Sequence, residues 1–439
     1  MKETLEFYQQ QLSAAKSSLP SWVMPLHAKA SERFNRWGLP TRQQEAWRYT
    51  QLDQFMKHRF AHSLTETTND QRVQLSSVEA SFPAVPHFRR HHGLSGVTVE
   101  ESTEDLTSVH TPLPAGLLFM PLDQALVEHQ TKVQPYLDQI IQHQHGFHAL
   151  NSALLNTGTF IYVPAGMKVS LPLVLSHGGE AGKMLSARHL VILEAGSEAV
   201  LIEDYYAQLE NESALTNTIT EIVLAPDANL THYKIQRENK ESYHVGHVTV
   251  RQAKSSTFQS HLLSLGGKLA RSEYHLQLVE PEASCSLNGV YLPSKGQHMD
   301  QQSLICHEVP HCQSEQDYKG ILMGGSRAVF NGKIRVAKGA QQTQAKQQNK
   351  NLLLALNAEI DTQPQLEIFA DDVVCTHGAT VGQLDEDALF YLAARGIDET
   401  EARRYLIQGF IENNLRLVRH SQLAEWLGTL IHQRLSEAL

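Results

Sequence analysis

Turn-forming residues recur at nearly even intervals through the middle of this 439-residue chain. The first five of these turns lie about 27–31 residues apart, a spacing typical of repeat architectures. A sixth follows at roughly twice that distance, with Pro310-His311 between. The turns are Pro164-Ala165-Gly166, Ala195-Gly196, Ala225-Pro226-Asp227, Ala253-Lys254, Pro281-Glu282 and Lys338-Gly339. Few folds are compatible with such a repeat length, because each repeat must stack on its neighbours to bury its apolar side.

Short apolar runs separate these turns and predict β-strands, as in Thr159 to Val163, His189 to Leu193 and Thr220 to Leu224. No helical period interrupts them between about 115 and 382. This region is therefore predicted to be a mainly β, right-handed parallel β-helix with two or three strands in each coil. A β-sandwich or jelly roll is the alternative, although its turn signals usually come every 8–12 residues.

Helical patterns flank the repeats on both sides. Residues 1–60 are predicted to form an N-terminal helical region, in which Gly38 ends one helix and Thr41 to Thr50 forms another. Residues 61–114 lack a sustained period and are predicted to connect this region to the β-helix core at 115–382. Residues 383–439 are predicted to be a C-terminal helical domain.

The charge and the hydropathy of the chain limit the kinds of molecule that it is expected to bind. The net charge of −10 offers no basic field for nucleic acid. No apolar run approaches the roughly 20 residues that cross a bilayer, and the first residues lack the apolar core of a signal peptide. A cytoplasmic protein without nucleic-acid or membrane partners is expected. The four cysteines are too few for a disulfide framework, so we expect reduced thiols.

The sequence carries none of the common catalytic signatures. Neither Gly332-Lys333 nor Gly267-Lys268 is followed by the Ser or Thr of a phosphate loop, and no nucleophile elbow or zinc-protease motif occurs. The chain is expected not to be an enzyme. A polysaccharide-active β-helix enzyme stays as an alternative, but Asp371 and Asp372 are adjacent, and adjacent strand residues face opposite ways.

Two clusters contain soft metal ligands. Cys306-His307-Glu308-Val309-Pro310-His311-Cys312 could hold zinc, which makes a zinc-stabilised structural β-helix a second alternative; a solvated turn between coils is the simpler interpretation. Cys375 and His377 lie two residues apart on a predicted strand, so their side chains share a face and can approach one metal. Taken alone, this pair is more typical of a small buried thiol and a hydrogen-bonded imidazole at a strand end than of a metal site. The 24 histidines are dispersed, and most are expected at the surface, including His143, His145 and His148.

A long ordered series of motifs resembles the SufB/SufD family of iron–sulfur cluster assembly proteins. The resemblance is strongest over about residues 285–412 and recovers at 39–50. SufB-type chains carry a cysteine within Phe-Tyr-x-x-x-Arg-Gly, where this chain has Leu392, so the likeness is to the SufD branch. The motifs are Tyr318 to Leu322, Ala328 to Ile334, Thr343, Gln347 to Leu354, Pro364 to Ile368, Asp371 to Gly382, Leu389 to Ile397 and Leu39 to Thr50.

The resemblance implies a non-catalytic scaffold within a larger complex. A SufB-like paralogous subunit is the expected partner, and Cys375 and His377 match the family positions at the interface where a nascent cluster is thought to form. No cofactor is expected to be tightly bound to the isolated chain; a transient iron–sulfur cluster, with its iron, is expected at the interface. A homodimer is the expected alternative for the isolated chain.

The resemblance also implies a SufC-like ABC-type ATPase bound through the C-terminal region. That region spans about 55 residues and has more apolar surface than so small a module can bury alone. Its expected partner-binding residues are Tyr405, Phe410, Trp426 and Leu430.

Overall fold

The computed structural model describes residues 2–14, 19–62, 87–91, 98–100, 113–155, 157–207, 209 and 211–436. The helices are α1 (Lys2–Ala14), α2 (Met24–Trp37), α3 (Leu122–Glu128), α4 (Gln130–Val133), α5 (Gly146–Ala153), α6 (Glu386–Ala393), α7 (Glu399–Arg416) and α8 (Ser421–Ser436). Two short 3₁₀ turns occupy Glu45–Trp47 and Phe55–Lys57.

The strands before the repeats are β1 (Ala61–His62), β2 (His87–His91), β3 (Thr98–Glu100) and β4 (Leu118–Pro121). The repeats are β5 (Gly158–Val163), β6 (Leu173–Gly179), β7 (Lys183–Leu193), β8 (Glu198–Ala207), β9 (Leu215–Leu224), β10 (Asn229–Arg237), β11 (Tyr243–Gln252), β12 (Thr257–Ser264), β13 (Leu269–Leu278), β14 (Ser284–Tyr291), β15 (His298–His307), β16 (Gln313–Leu322), β17 (Arg327–Val336), β18 (Thr343–Leu353), β19 (Glu359–Ile368) and β20 (Val373–Gly382).

These strands form two facing sheets that confirm the predicted parallel β-helix. The first sheet has the order β19-β17-β15-β13-β11-β9-β7-β5-β4, and the second has the order β20-β18-β16-β14-β12-β10-β8-β6-β2-β3. Each coil contributes one strand to each sheet, and β5 to β20 make about eight coils. Leu193 lies beside Leu224 and Leu224 beside Gln252, so the register repeats the predicted period.

A ladder of turn hydrogen bonds follows one edge of the solenoid. Gly166 N donates to Ala195 O at 2.8 Å, and Gly196 N donates to Pro226 O at 2.9 Å in the next coil. Gly166 and Gly196 have φ of 70° and 67°, a left-handed conformation that glycine adopts without steric cost. Later coils use non-glycine residues at this position, including Asp227 with φ of 61°. The turn residues therefore recur because every coil needs one left-handed corner.

The coils bury both faces of most strands. All ten residues of β9 are buried, as expected for a parallel sheet covered on both sides. The apolar interior lies between the sheets, the N-terminal helices cover the outer face of the first sheet, and α7 and α8 cover that of the second. Burial ends at the last two strands, β19 and β20.

The structure corrects two expectations about helices. α3, α4 and α5 lie between residues 122 and 153, where the sequence predicted no helix. Thr41 to Thr50 is not an α-helix and contains only the 3₁₀ turn at Glu45–Trp47. The reason is tertiary: Trp47 is buried against the solenoid, and Ala46 O accepts a hydrogen bond from Arg271 at 2.9 Å. Most of the predicted connecting segment at 61–114 falls outside the described residues, and the division into domains stays a prediction.

Candidate functional site at the open end of the solenoid

The last coil, formed by β19 and β20, is the site of the predicted ligand pair. Among the described residues no further coil stacks on it, and β20 pairs only with β18. Cys375 lies beside Ala345 and His377 beside Gln347. Cys375 packs against the interior core, so its side chain and that of His377 both face the inside of the solenoid. The structure thus places the pair on one strand face at the open end; its role stays a prediction.

Amide side chains form the floor beneath this pair. Gln347 and Asn349 of β18 are buried, Gln347 Nε2 donates to Gln316 Oε1 at 2.7 Å, and Asn349 Oδ1 accepts from Thr362 Oγ1 at 2.9 Å. In the register, Gln347 lies beside Gln316, and Gln316 lies beside Leu287. The interior side chains therefore change from aliphatic to amide toward the open end. A polar group bound there can form hydrogen bonds with these amides and need not be buried without a partner.

The thiol is partly shielded in the isolated chain. Partial burial raises the pKa of Cys375, and a backbone hydrogen bond from Ala345 lowers it by less. Cys375 is therefore protonated at neutral pH until a metal ion or a cationic group approaches, since either lowers a thiol pKa. His377 is exposed, so a partner can reach it directly.

An apolar rim lies along the last coil and the segments next to it in the chain. Most of the large apolar side chains exposed in the described part of the chain lie between residues 356 and 391. They are Leu356, Ile368, Phe369, Val374, Val381, Phe390 and Tyr391. Phe390 is 77% exposed and Leu356 is 94% exposed. Apolar patches with polar neighbours mark protein interaction surfaces, so this end of the molecule is suited to an interface.

The four predicted partner-binding residues of the C-terminal helices differ in exposure. Trp426 is buried against the second sheet, with the Arg237 guanidinium 5.5 Å from its ring. Phe410 and Leu430 are partly buried against the same cluster. Tyr405 is 48% exposed, and its hydroxyl donates to Glu401 Oε1 at 2.6 Å. Three of these four side chains are therefore used at least partly within the chain, and Tyr405 is the one of the four that is exposed.

A groove of about 430 Å³ runs between α7 and α8 beside Tyr405. Gly409 and Gly428 line it, and a Cβ added at either glycine would meet no atom within 4 Å. The groove is therefore open at both glycines.

The Cys306 to Cys312 cluster does not converge on one point. Cys306 Sγ lies 3.8 Å from His275 Nε2, whereas His307 Nε2 lies 2.8 Å from Ser314 Oγ. Adjacent strand residues face opposite sides of a sheet, which separates these two side chains. Cys312 is buried in the interior core rather than in a solvated turn. Burial raises the pKa of Cys306 to about 11 and also raises that of Cys312, so both are neutral thiols.

Sequence reasoning missed a buried cluster around Glu273 of β13. Its carboxylate lies 3.0 Å from His145 Nε2, 2.9 Å from His148 Nε2 and 3.3 Å from His247 Nδ1. Arg271 Nε donates to the other carboxylate oxygen at 2.6 Å. The expected surface location is wrong for His145 and His148, which are 2% and 1% exposed. Their spacing at the start of α5 was visible, but Glu273 is too distant in sequence to be paired with them.

The segment Thr41 to Thr50 runs across the outer face of the first sheet. Trp47 lies 4.0 Å from the Arg271 guanidinium, and Thr50 Oγ1 donates to Asp300 of β15. Tyr49 OH accepts a hydrogen bond from Gln363 Nε2 of β19 at 3.0 Å. The segment therefore connects three coils of the solenoid, including the last.

Comparison with protein families decides the classification. Residues 175–410 match the family model described as SUF system FeS cluster assembly, SufBD core domain. The chain belongs to the SufBD family. Residues 1–175 also match the model of the SufBD protein N-terminal region, so the two matches together span nearly the whole chain. The predicted family resemblance is confirmed, and both the open end and the Thr41 to Thr50 segment lie within the matched regions.

Relatives within the SufBD family cover most of the chain. The iron–sulfur cluster assembly protein SufD of Escherichia coli (strain K12) is 33% identical over 407 residues, 91% of this chain and 90% of the relative. The chloroplastic protein ABCI7 of Arabidopsis thaliana is 30% identical over 411 residues, 91% and 84% of the two chains. A SufBD family protein of Synechocystis is 28% identical over 384 residues, 85% and 82%. In the described part of this SufBD chain, no helix has the length and apolarity needed to span a membrane.

Proposed function

We propose that this chain is a non-catalytic scaffold subunit of an iron–sulfur cluster assembly complex, acting in the cytoplasm. It pairs at the open end of its solenoid with a SufB-like paralogous subunit. Cys375 and His377 supply ligands to the nascent cluster at that seam. The observation that carries the proposal is the position of this pair, on the inward face of the last described coil, in a part of the chain with many exposed apolar side chains.

Ligand number supports a shared site. Iron–sulfur clusters are normally held by four protein ligands, mostly thiolates with imidazole as a substitute. The open end offers one thiol and one imidazole, Cys375 and His377. The partner subunit supplies the remaining ligands, and the cluster is cargo that leaves when the seam opens. A seam suits this purpose better than a closed cage, since the product must be transferred.

The strand edges support the pairing itself. Among the described strands, β19 and β20 each pair with one neighbour, so each presents a row of backbone groups without a strand partner along its other edge. A related solenoid can extend both sheets across the junction and cover the apolar rim at the same time. The interior amides Gln347 and Asn349 then face the partner's last coil.

The groove between α7 and α8 is the proposed docking site for a SufC-like ABC-type ATPase. Tyr405 stands at its edge, and Gly409 and Gly428 leave room for an inserted side chain. A single anchor filling such a groove is a common source of binding energy at protein interfaces. Removal of both helices is a poor test, because Ile407 and Ile411 cover the outer face of the second sheet.

Replacement of His377 by Ala tests the cluster site. The complex should assemble normally because the side chain is exposed, whereas cluster formation in cells should fall by about tenfold or more through loss of a ligand. Iron and acid-labile sulfide in the purified complex measure the effect. Thr376→Ala is the matched control, since Thr376 is exposed on the other face of the same strand.

Cys375→Ser completes this experiment. A loss equal to that of His377→Ala identifies the thiol as a ligand, and a smaller loss identifies it as a group that tunes the site. Normal cluster yield from His377→Ala, with a melting temperature several degrees lower, would instead make His377 a packing residue and remove the basis of the proposed site.

A further inference from the structure

The cluster around Glu273 lies away from the open end, deep between the N-terminal region and the first sheet. His145 and His148 come from the start of α5, His247 from β11 and Glu273 from β13. Three ring nitrogens therefore approach one carboxylate from two different parts of the fold. We infer that these side chains form a binding site for a divalent transition metal ion with nitrogen and carboxylate ligands.

The separations between the ligand atoms suit a metal. His145 Nε2, His148 Nε2 and a Glu273 oxygen all lie within 4.8 Å of one another. Zinc–nitrogen and zinc–oxygen bonds are about 2.0–2.2 Å, so ligands around a tetrahedral ion lie roughly 3.3 Å apart. The nitrogen–oxygen separations of 2.9 Å and 3.0 Å need only a small expansion. His247 Nδ1 lies 3.3 Å from the same oxygen, next to this set of three.

The charges of the pocket favour a cation. Arg271 pairs with both Glu273 and Asp300, so one guanidinium faces two carboxylates. Buried charge is costly unless it is paired, and a bound cation would balance the second carboxylate.

Two further contacts define the outer part of the site. Glu273 can bind a metal through Oε2 while Oε1 accepts from Arg271, and such outer contacts commonly orient metal-binding carboxylates. Gln144 N–H points at His148 Nδ1 at 3.3 Å, a long hydrogen bond that breaks if a metal binds Nε2, because the ring proton then resides on Nδ1. Neither His145 Nδ1 nor His247 Nε2 has a hydrogen-bond partner among the described residues.

The site also lies under the 3₁₀ turn of the N-terminal region. Trp47 packs edge-on to the His145 ring at 5.1 Å and lies 4.0 Å from the Arg271 guanidinium. A bound ion would therefore fasten α5 and the Thr41 to Thr50 segment to β11 and β13. This role is independent of cluster assembly at the open end.

Cobalt substitution tests the site in the full-length chain. The protein is produced in cells grown with Co²⁺ in place of zinc, so that the ion has access while the chain folds. We expect one cobalt per chain by native mass spectrometry, with the visible absorption of tetrahedral nitrogen and oxygen coordination. His148→Gln and Glu273→Gln should each lower the bound cobalt at least tenfold. Metal analysis of protein from unsupplemented cells distinguishes zinc from ferrous iron as the natural occupant.

His244→Gln is the matched control, because His244 is also buried on β11 and also pairs with a glutamate, Glu238, at 2.8 Å. It should retain the cobalt. Chelation should lower the melting temperature of the unsubstituted protein but not that of His148→Gln, which separates metal loss from general instability.

Cobalt-free protein, or cobalt that persists in both His148→Gln and Glu273→Gln, would overturn the inference. Strong thiolate-to-cobalt charge-transfer bands would likewise overturn it, because they would place the ion on cysteines.

Discussion

At the scale of single residues, the buried ion pair between Asp138 and Arg188 contributes to how the stability of the protein responds to acid. Asp138 Oδ1 accepts from Arg188 Nη2 at 2.9 Å and from Ser152 Oγ at 2.8 Å, and it lies 2.8 Å from His143 Nε2. Burial alone would raise the pKa of Asp138, but His143 and Arg188 more than offset it and lower that pKa. These partners thus stabilise the charged form of the Asp138 carboxylate.

Asp138→Asn should therefore make stability less dependent on acid. A carboxyl whose pKa is lower in the folded than in the unfolded state stabilises the fold above the unfolded pKa of about 4, and that contribution is lost as the pH falls further. We expect Asp138→Asn to lower the free energy of unfolding by about 2 kcal/mol at pH 7. Below pH 4, the free energy of unfolding of the variant should fall less steeply with pH than that of the unsubstituted protein. Urea unfolding between pH 7 and pH 3 measures both effects.

Asp227→Asn is the matched control for this experiment. Asp227 has the same left-handed backbone, with φ of 61° at both positions, but it lies exposed in a turn. Asparagine tolerates that conformation, so neither variant adds backbone strain. Parallel stability curves for Asp138→Asn and the unsubstituted protein would show that Asp138 contributes nothing specific to acid unfolding.

At the scale of elements, the C-terminal helices divide their surface between the chain and a partner. α7 and α8 pack on the second sheet through residues such as Ile407 and Leu427, and between the two helices they leave the groove beside Tyr405. The sequence showed that this module had surplus apolar surface. It could not show which residues the solenoid covers, because Trp426 and Tyr405 are both aromatic residues on predicted helices and the sequence pattern does not distinguish a buried one from an exposed one.

Gly409→Arg should block ATPase binding while leaving the fold intact. Gly409 lies within α7, and a Cβ at this position would have no atom within 4 Å, so a long side chain fits sterically but occupies the groove. We expect affinity for the ATPase to fall at least tenfold, about 1.4 kcal/mol, by isothermal titration calorimetry.

Gly409→Ala provides the comparison, since it adds one methyl group and should bind normally and fold slightly more stably. Equal affinity of the Arg and Ala variants would exclude the groove as the docking site.

The repeat itself was predictable from sequence because each coil needs a left-handed corner, and the residues that tolerate one are few. Gly166, Gly196 and Asp227 were all in the predicted turns. In a later coil the left-handed residue is Gln342 rather than Lys338-Gly339, because this turn is longer. Short helices such as α4, with four residues, have too few positions for a period to be recognised.

At the scale of the whole molecule, the solenoid is covered along both sides and open at one end. Cys375 and His377 could be found from the sequence because they are neighbours on one strand. Their setting could not, since the amide floor and the apolar rim come from separate coils. The buried ligands around Glu273 needed the full three-dimensional fold for the same reason.

The open end should let the isolated chain associate with itself, as a substitute for the paralogous partner. Val381 is 50% exposed at this end, and a charge there would have to be desolvated in any such contact. We expect Val381→Lys to weaken self-association at least tenfold, about 1.4 kcal/mol, by light scattering across a concentration series.

Val127→Lys changes another exposed valine, on α3, and should have no effect on association. A chain that stays monomeric at several hundred micromolar, or one that both substitutions affect equally, would refute self-association through the open end.

The Thr41 to Thr50 segment gives the molecule a mechanical asymmetry. Stacked coils resist stretching along their axis because every backbone hydrogen bond between them would have to lengthen together. Bending is easier, and it opens one side of the stack while closing the other. Contacts from Arg271 through Asp300 to Gln363 act as a tie across one side, so the rod is stiffer when bent away from that side than toward it. A force applied at the last coil would therefore bend the solenoid more easily toward the side that carries the Thr41 to Thr50 segment than away from it.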